Sequence, residues 1–132
     1  MGDLSPNFDR SEFQCHHFGV PQPCPIVDRK PSEKLVEMLE AMRKLLKRPL
    51  VINSGWRCEP ANRFAGGVAG SAHLTGEAAD IKAITSVERW ELVTAALKAG
   101  ITRIGIDGRF THIDVSTDHP QQVIWLYGAE RS

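Results

Sequence analysis

Apolar positions in the first half of the chain recur at helical spacing. Behind Ser32, the residues Leu35, Met38, Leu39, Met42, Leu45 and Leu46 form one stripe. Glu33, Lys34, Glu37, Lys44 and Lys47 fall on the other side. This pattern predicts an amphipathic helix whose stripe faces a core. Pro49 then precedes Leu50-Val51-Ile52, a run that predicts a short strand. Residues 59–65 predict a short helix ended by Gly66-Gly67. Asp80-Ile81-Lys82-Ala83-Ile84 alternates with the period of a strand. Thr85-x-x-Glu88 has the spacing of a capping box, in which each side chain bonds the other's backbone N–H. It opens a helix through Lys98, with Gly100 at the position just past the end. Within that helix Trp90, Val93, Ala96 and Leu97 are expected to face inward.

Residues 101–106 and 110–115 read as a hairpin around Asp107-Gly108. Residues 123–127 predict a last strand or helical turn. The first thirty residues, with Pro6, Pro21, Pro23 and Pro25, are expected to be irregular. The elements amount to an α+β fold, helices packed on a small, mostly antiparallel sheet.

Composition narrows the function. A chain of 132 residues is the size of one ordinary domain, and 42% hydrophobic residues suffice for one core. Lys+Arg and Asp+Glu both number 16, a balance that argues against a nucleic-acid binder. No stretch of ~20 apolar residues suggests a membrane span. The start, Met1-Gly2-Asp3-Leu4-Ser5-Pro6, has neither the basic nor the apolar region of a secretory signal. A cytoplasmic location as synthesised is therefore expected, with monomer as the default state.

The candidate chemistry lies in Ser71-Ala72-His73-Leu74-Thr75-Gly76-Glu77-Ala78-Ala79-Asp80 and, later, His112-Ile113-Asp114. Two imidazoles and a carboxylate, His73, Asp80 and His112, suit a catalytic zinc ion, because three protein ligands leave a fourth tetrahedral position open. Gly76 disfavours a helix between His73 and Asp80. His73 is therefore expected on a loop and Asp80 on the strand that follows. His112 and Asp114, two apart on a strand, share a face.

These residues also carry a resemblance. Ser71-x-His73-x-x-Gly76-x-Ala78-x-Asp80 with His112-x-Asp114 resembles the D-alanyl-D-alanine carboxypeptidase family of zinc peptidases. Phage endolysin peptidases, the vancomycin-resistance dipeptidase and the Hedgehog signalling domain are similar. Asn7-Phe8, Glu12-Phe13, Ser54-Gly55-Trp56-Arg57-Cys58, Asn62 and Gly66-Gly67 match the small carboxypeptidase-like branch, so the resemblance runs from Asn7 to Trp125. It implies a fold of the Hedgehog and D-Ala-D-Ala peptidase type, zinc on His73, Asp80 and His112, and a peptidoglycan stem peptide as substrate. It also implies that Arg57 and Ser71 hold the substrate's terminal carboxylate. An Arg fork makes a bidentate, charge-assisted clamp on a carboxylate, which is what a carboxypeptidase needs there. Hydrolysis of the cell-wall peptide, after release from the cytoplasm, is the expected activity. The alternative is a zinc-stabilised binding module of the same fold.

A zinc peptidase also needs a general base. Several relatives place a glutamate shortly before the last histidine, where this chain has Ile104-Gly105-Ile106-Asp107-Gly108-Arg109. Asp114 and Asp107 are the candidates, and Asp114 is preferred because it shares the His112 face. Asp114 could instead orient a ligand, and Asp107 could form the turn. His119 and Glu77 come next. Cys15, Cys24 and Cys58 leave three readings open: a second metal site formed by Cys15-His16-His17 with Cys24, a disulfide to Cys58, or reduced thiols.

Overall fold

The computed structural model describes residues 2–17, 19–21, 23–25, 29–64, 66 and 70–127. A 3-10 turn at Arg10–Phe13 is followed by helix α1 (Glu33–Leu46), strand β1 (Ile52–Ser54) and the short helix α2 (Glu59–Phe64). A second 3-10 turn at Ala72–Thr75 leads into β2 (Ala78–Lys82). Helix α3 (Ser86–Ala99), β3 (Arg103–Ile106), β4 (Phe110–Asp114) and β5 (Val123–Leu126) complete the chain. The strands form one sheet in the order β1-β2-β4-β3-β5, antiparallel except for the β3–β5 pair. The fold is α+β, as expected. No helix of the described residues is long and apolar enough to cross a membrane.

The sheet has two unlike faces. Ala79, Ile81, Ile104 and Ile113 point to one side and join Leu35, Leu39 and Met42 of α1 and Leu92, Ala95 and Ala96 of α3 in the core. By strand alternation the other face carries Asp80, His112, Asp114, Arg103 and Gly105. Register sets this: Asp80 stands opposite His112, and Gly105 opposite His112 on its other side. Phe8 and Phe13, from the irregular N-terminal segment, are fully buried in the same core.

The helix ends follow their sequence signals. Ser32 caps α1, its side chain accepting from the Leu35 N–H. Thr85 and Glu88 form the reciprocal capping box of α3, which Gly100 closes in the left-handed region at φ 102°. α2 ends at Phe64. Gly66 follows it with φ 76°, while Ala65 and Gly67 lie outside the described residues.

Four expectations need correction. The strand expected at Leu50-Val51-Ile52 is shifted to Ile52–Ser54, because Leu50 drops into the core instead of pairing. The strand expected from Asp80 begins at Ala78 and ends at Lys82, where Ala78 pairs with Asp114. In α3, Trp90 is 70% and Leu97 54% exposed. The buried side is Leu92, Ala95 and Ala96, and the two small alanines let α3 sit close to α1. Val93 packs at the edge of the core. In α1, Leu45 is likewise exposed.

Candidate metal centre

His73 lies on the 3-10 turn Ala72–Thr75, where Ser71 is the N-cap and accepts from the His73 N–H at 3.2 Å. Gly76 closes the turn with φ 71°, and a Cβ there would meet the Trp56 ring at 2.5 Å. Only glycine turns the chain this sharply under that indole. Two residues on, β2 begins and delivers Asp80 to the sheet face. β4 delivers His112 beside it. All three side chains are almost fully buried.

The donor atoms converge. His73 Nε2 lies 3.2 Å and His112 Nδ1 2.9 Å from Asp80 Oδ1, and the imidazoles meet edge to face at 5.0 Å. Ligand bonds of 2.0–2.1 Å at tetrahedral angles imply donor separations of ~3.3 Å, close to those present. The far nitrogens are already committed. His73 Nδ1–H donates to the Gly55 carbonyl at 2.6 Å, and His112 Nε2–H donates to Asp114 Oδ2 at 2.8 Å. Such bonds fix the tautomer and turn the remaining nitrogen toward a metal. The donor set, its spacing and these outer bonds fit zinc.

Electrostatics follow from burial and neighbours. Burial would raise Asp80, but the two imidazoles outweigh it and hold its carboxyl well below the usual range. Burial pulls His73 down despite Asp80. At His112 the same burial is overcome by Asp114 and Asp80, so its pKa is raised.

The other expected residues take distinct places. Arg57 stands at the rim, its Nη2 3.7 Å from Asp80 Oδ2 and its Nη1–H donating to Asn62 Oδ1 at 3.0 Å. Ser71 is the cap of the turn that carries His73. Asp114, the preferred base, lies across the His112 ring from Asp80. Its Oδ1 accepts from Arg103 Nε at 2.7 Å and from the Ser116 N–H at 3.2 Å, and it is buried. Both oxygens are thus occupied away from the three donors, which suits the orienting role. Asp107 accepts through Oδ1 from the N–H and Nε of Arg109, at 3.0 and 3.2 Å. It therefore shapes the β3–β4 turn, while alternation from Gly105 puts it on the His112 face. Glu77 accepts from Thr75 Oγ1 at 2.6 Å and is half-buried, and His119 pairs with Ser116 Oγ.

Sequence reasoning missed the aromatic wall. Trp125 and Tyr127 bring their rings to 5.3 and 6.1 Å from the His112 ring. A Cβ on Gly105 would meet Tyr127 at 2.6 Å and Trp125 at 2.7 Å, so the bare backbone there makes room for both. Arg103 stacks on Trp125 at 4.8 Å and ties Asp114 to the same wall. Burial pushes Tyr127 up to about 12, keeping its phenol a neutral donor. The lone glycine in an apolar strand was the available signal.

Fold and site define a class: small α+β proteins with a candidate metal centre of two histidines and one carboxylate. The chain belongs to the Peptidase M15 family, whose model matches residues 6–116. That family comprises zinc-dependent peptidases, and the matched span contains all three candidate ligands. A comparison with curated proteins gives no match.

Proposed function

We propose that this protein is a zinc-dependent peptidase acting on bacterial cell-wall stem peptides, at a bond near a D-amino-acid terminus. The observation that carries this is the convergence of His73, Asp80 and His112, with the Arg57 guanidinium at their rim. Zinc bound there would supply Lewis acidity toward a peptide carbonyl and toward water. The residues of the chain do the rest. Arg57, anchored by Asn62, presents its remaining donors to a substrate carboxylate, and Ser71 adds a hydroxyl. Asp114 holds the His112 ring in place. Asp107 is the better candidate for accepting the proton from water, since its Oδ2 has no hydrogen-bond partner among the described residues. The aromatic wall excludes solvent beside the reacting bond.

The test is digestion of purified peptidoglycan with mass spectrometry of the products. Release of D-alanine or of cut cross-links supports the reading, and intact stem peptides with zinc fully bound sink it. A second reading, a zinc-stabilised binding module, draws support from one observation: both oxygens of Asp114 are engaged elsewhere. Binding of stem peptide without turnover would favour it.

A further inference from the structure

Outside that centre, a second group of donors converges. Cys15, His17, Cys24 and Cys58 each offer a ligand atom, and the four atoms all lie within 4.8 Å of one another. We propose that they form a second, structural zinc site. It does not depend on the reading of the first centre.

The geometry is that of a tetrahedron. Zn–S bonds near 2.3 Å and a Zn–N bond near 2.0–2.1 Å imply S···S edges of ~3.8 Å and S···N edges of ~3.6 Å. Cys15 Sγ lies 3.7 Å from Cys58 Sγ. His17 Nδ1 lies 3.9 Å from Cys15 Sγ and 3.1 Å from Cys58 Sγ. A disulfide would need ~2.05 Å, so Cys15 and Cys58 are held apart as a pair of ligands would be. All three cysteines are thiols. Three thiolates and one imidazole make a closed, soft donor set suited to structural zinc.

Two further features fit. The Cys58 N–H points at Cys15 Sγ at 3.4 Å, an outer bond that would stabilise a thiolate there. His17 has φ 57°, a left-handed conformation that a non-glycine residue adopts at some cost, and it brings the imidazole into the group. Without a cation the cluster is an awkward environment. Burial pushes Cys15 up to about 11 against the pull of the Cys58 N–H. On zinc binding the three thiol protons pass to solvent, and no redox partner is required.

The placement gives the ion a purpose. Cys15, His17 and Cys24 belong to the N-terminal segment, which has little regular structure. Cys58 directly follows Arg57. One ion would tie that segment to the rim of the first centre.

Elemental analysis and cobalt substitution on the full chain test this. The wild type should hold about two zinc ions per chain, His73→Ala one, and Cys24→Ser one. Cobalt should give a thiolate-to-metal charge-transfer band in the wild type and in His73→Ala. The first centre has no sulfur ligand, so the band reports the cysteine cluster alone. Should Cys24→Ser fail to fold, the wild type still decides. In the zinc-loaded protein the three thiols should react slowly with a thiol reagent and release about one zinc as they do. Absence of the cobalt–thiolate band, three readily reactive thiols in zinc-loaded protein, or a Cys15–Cys58 disulfide in the peptide map would each overturn the proposal.

Discussion

Asp114 and Asp107 differ in what their oxygens are left to do. Asp114 is held by His112, Arg103 and Ser116, so its loss should act through the metal. Asp114→Asn is expected to weaken zinc binding ~10–100-fold, read by chelator competition. Asp107→Asn should keep its zinc and lower kcat by ~10²–10⁴-fold. A zinc-replete, inactive Asp114→Asn would reverse these roles. For the clamp, Arg57→Lys keeps the charge and loses the planar fork. Turnover of peptides with a free terminal carboxylate should drop well below that of amidated analogues relative to wild type. Equal losses on both would remove Arg57 from that task. The three donors of the centre could be named from the chain because their residue types and motif spacing carry the resemblance, while the β2–β4 pairing that sets Asp80 beside His112 joins segments distant in the chain. Trp125 and Tyr127 could not. Their position depends on β5 joining β3 in parallel, a pairing between distant segments that no local pattern encodes. Asp114 shares the His112 face, but its ties to Arg103 and Ser116 are long-range or loop contacts that the strand alternation does not encode.

Among the elements, α3 shows where periodicity misleads. Val87, Trp90 and Leu97 are exposed while Leu92, Ala95 and Ala96 are buried. Apolar residues surround this helix on several sides, so hydrophobicity alone did not select a face. The expected face put Trp90 and Leu97 inward, whereas close packing on α1 selects the alanines beside Leu92. In α1, with charges confined to one side, the stripe places Leu35, Leu39 and Met42 in the core, and only Leu45 at its end is exposed. β3 is more exacting than its length suggests. Gly105→Ala would drive a methyl into two rings, and overpacking of this kind typically costs ~1–3 kcal/mol. Urea denaturation should show that loss. It should be partly relieved by Tyr127→Leu in the same chain, which shortens one of the obstructing side chains. No relief would mean that the backbone, and not the wall, needs the glycine.

At the scale of the whole molecule, the buried titrating groups shape the response to pH. In metal-free protein the raised His112 stabilises fully below ~6.5, its unfolded value, and that contribution is lost as pH rises through its folded value. The depressed His73 acts oppositely, penalising the fold as pH falls from ~6.5 toward its folded value. Asp80 and Asp114, both depressed, withdraw their support below ~3.9 as they protonate. Thermal unfolding of the metal-free protein should therefore be most favourable to the fold near pH ~6.5. Zinc binds neutral imidazoles, so the loaded protein should remain stable at higher pH. A metal-free maximum displaced by two pH units would contradict these assignments.

The segment from Gly55 to Cys58 has neither helix nor strand, yet it is gripped from several directions. The Trp56 N–H donates to Phe13 O at 2.8 Å and the Arg57 N–H to His73 O at 2.9 Å, while the Cys58 N–H meets Cys15 Sγ. Gly55 O receives His73. Irregular backbone usually exchanges its amide hydrogens early, because opening it breaks few contacts. Here opening the Trp56 or Cys58 amide parts this stretch from the N-terminal segment, and opening the Arg57 amide parts it from the turn that carries His73. Deuterium exchange at Trp56 and Arg57 should accordingly be as slow as in the sheet's central strands, making a stretch of coil one of the last parts of the molecule to open.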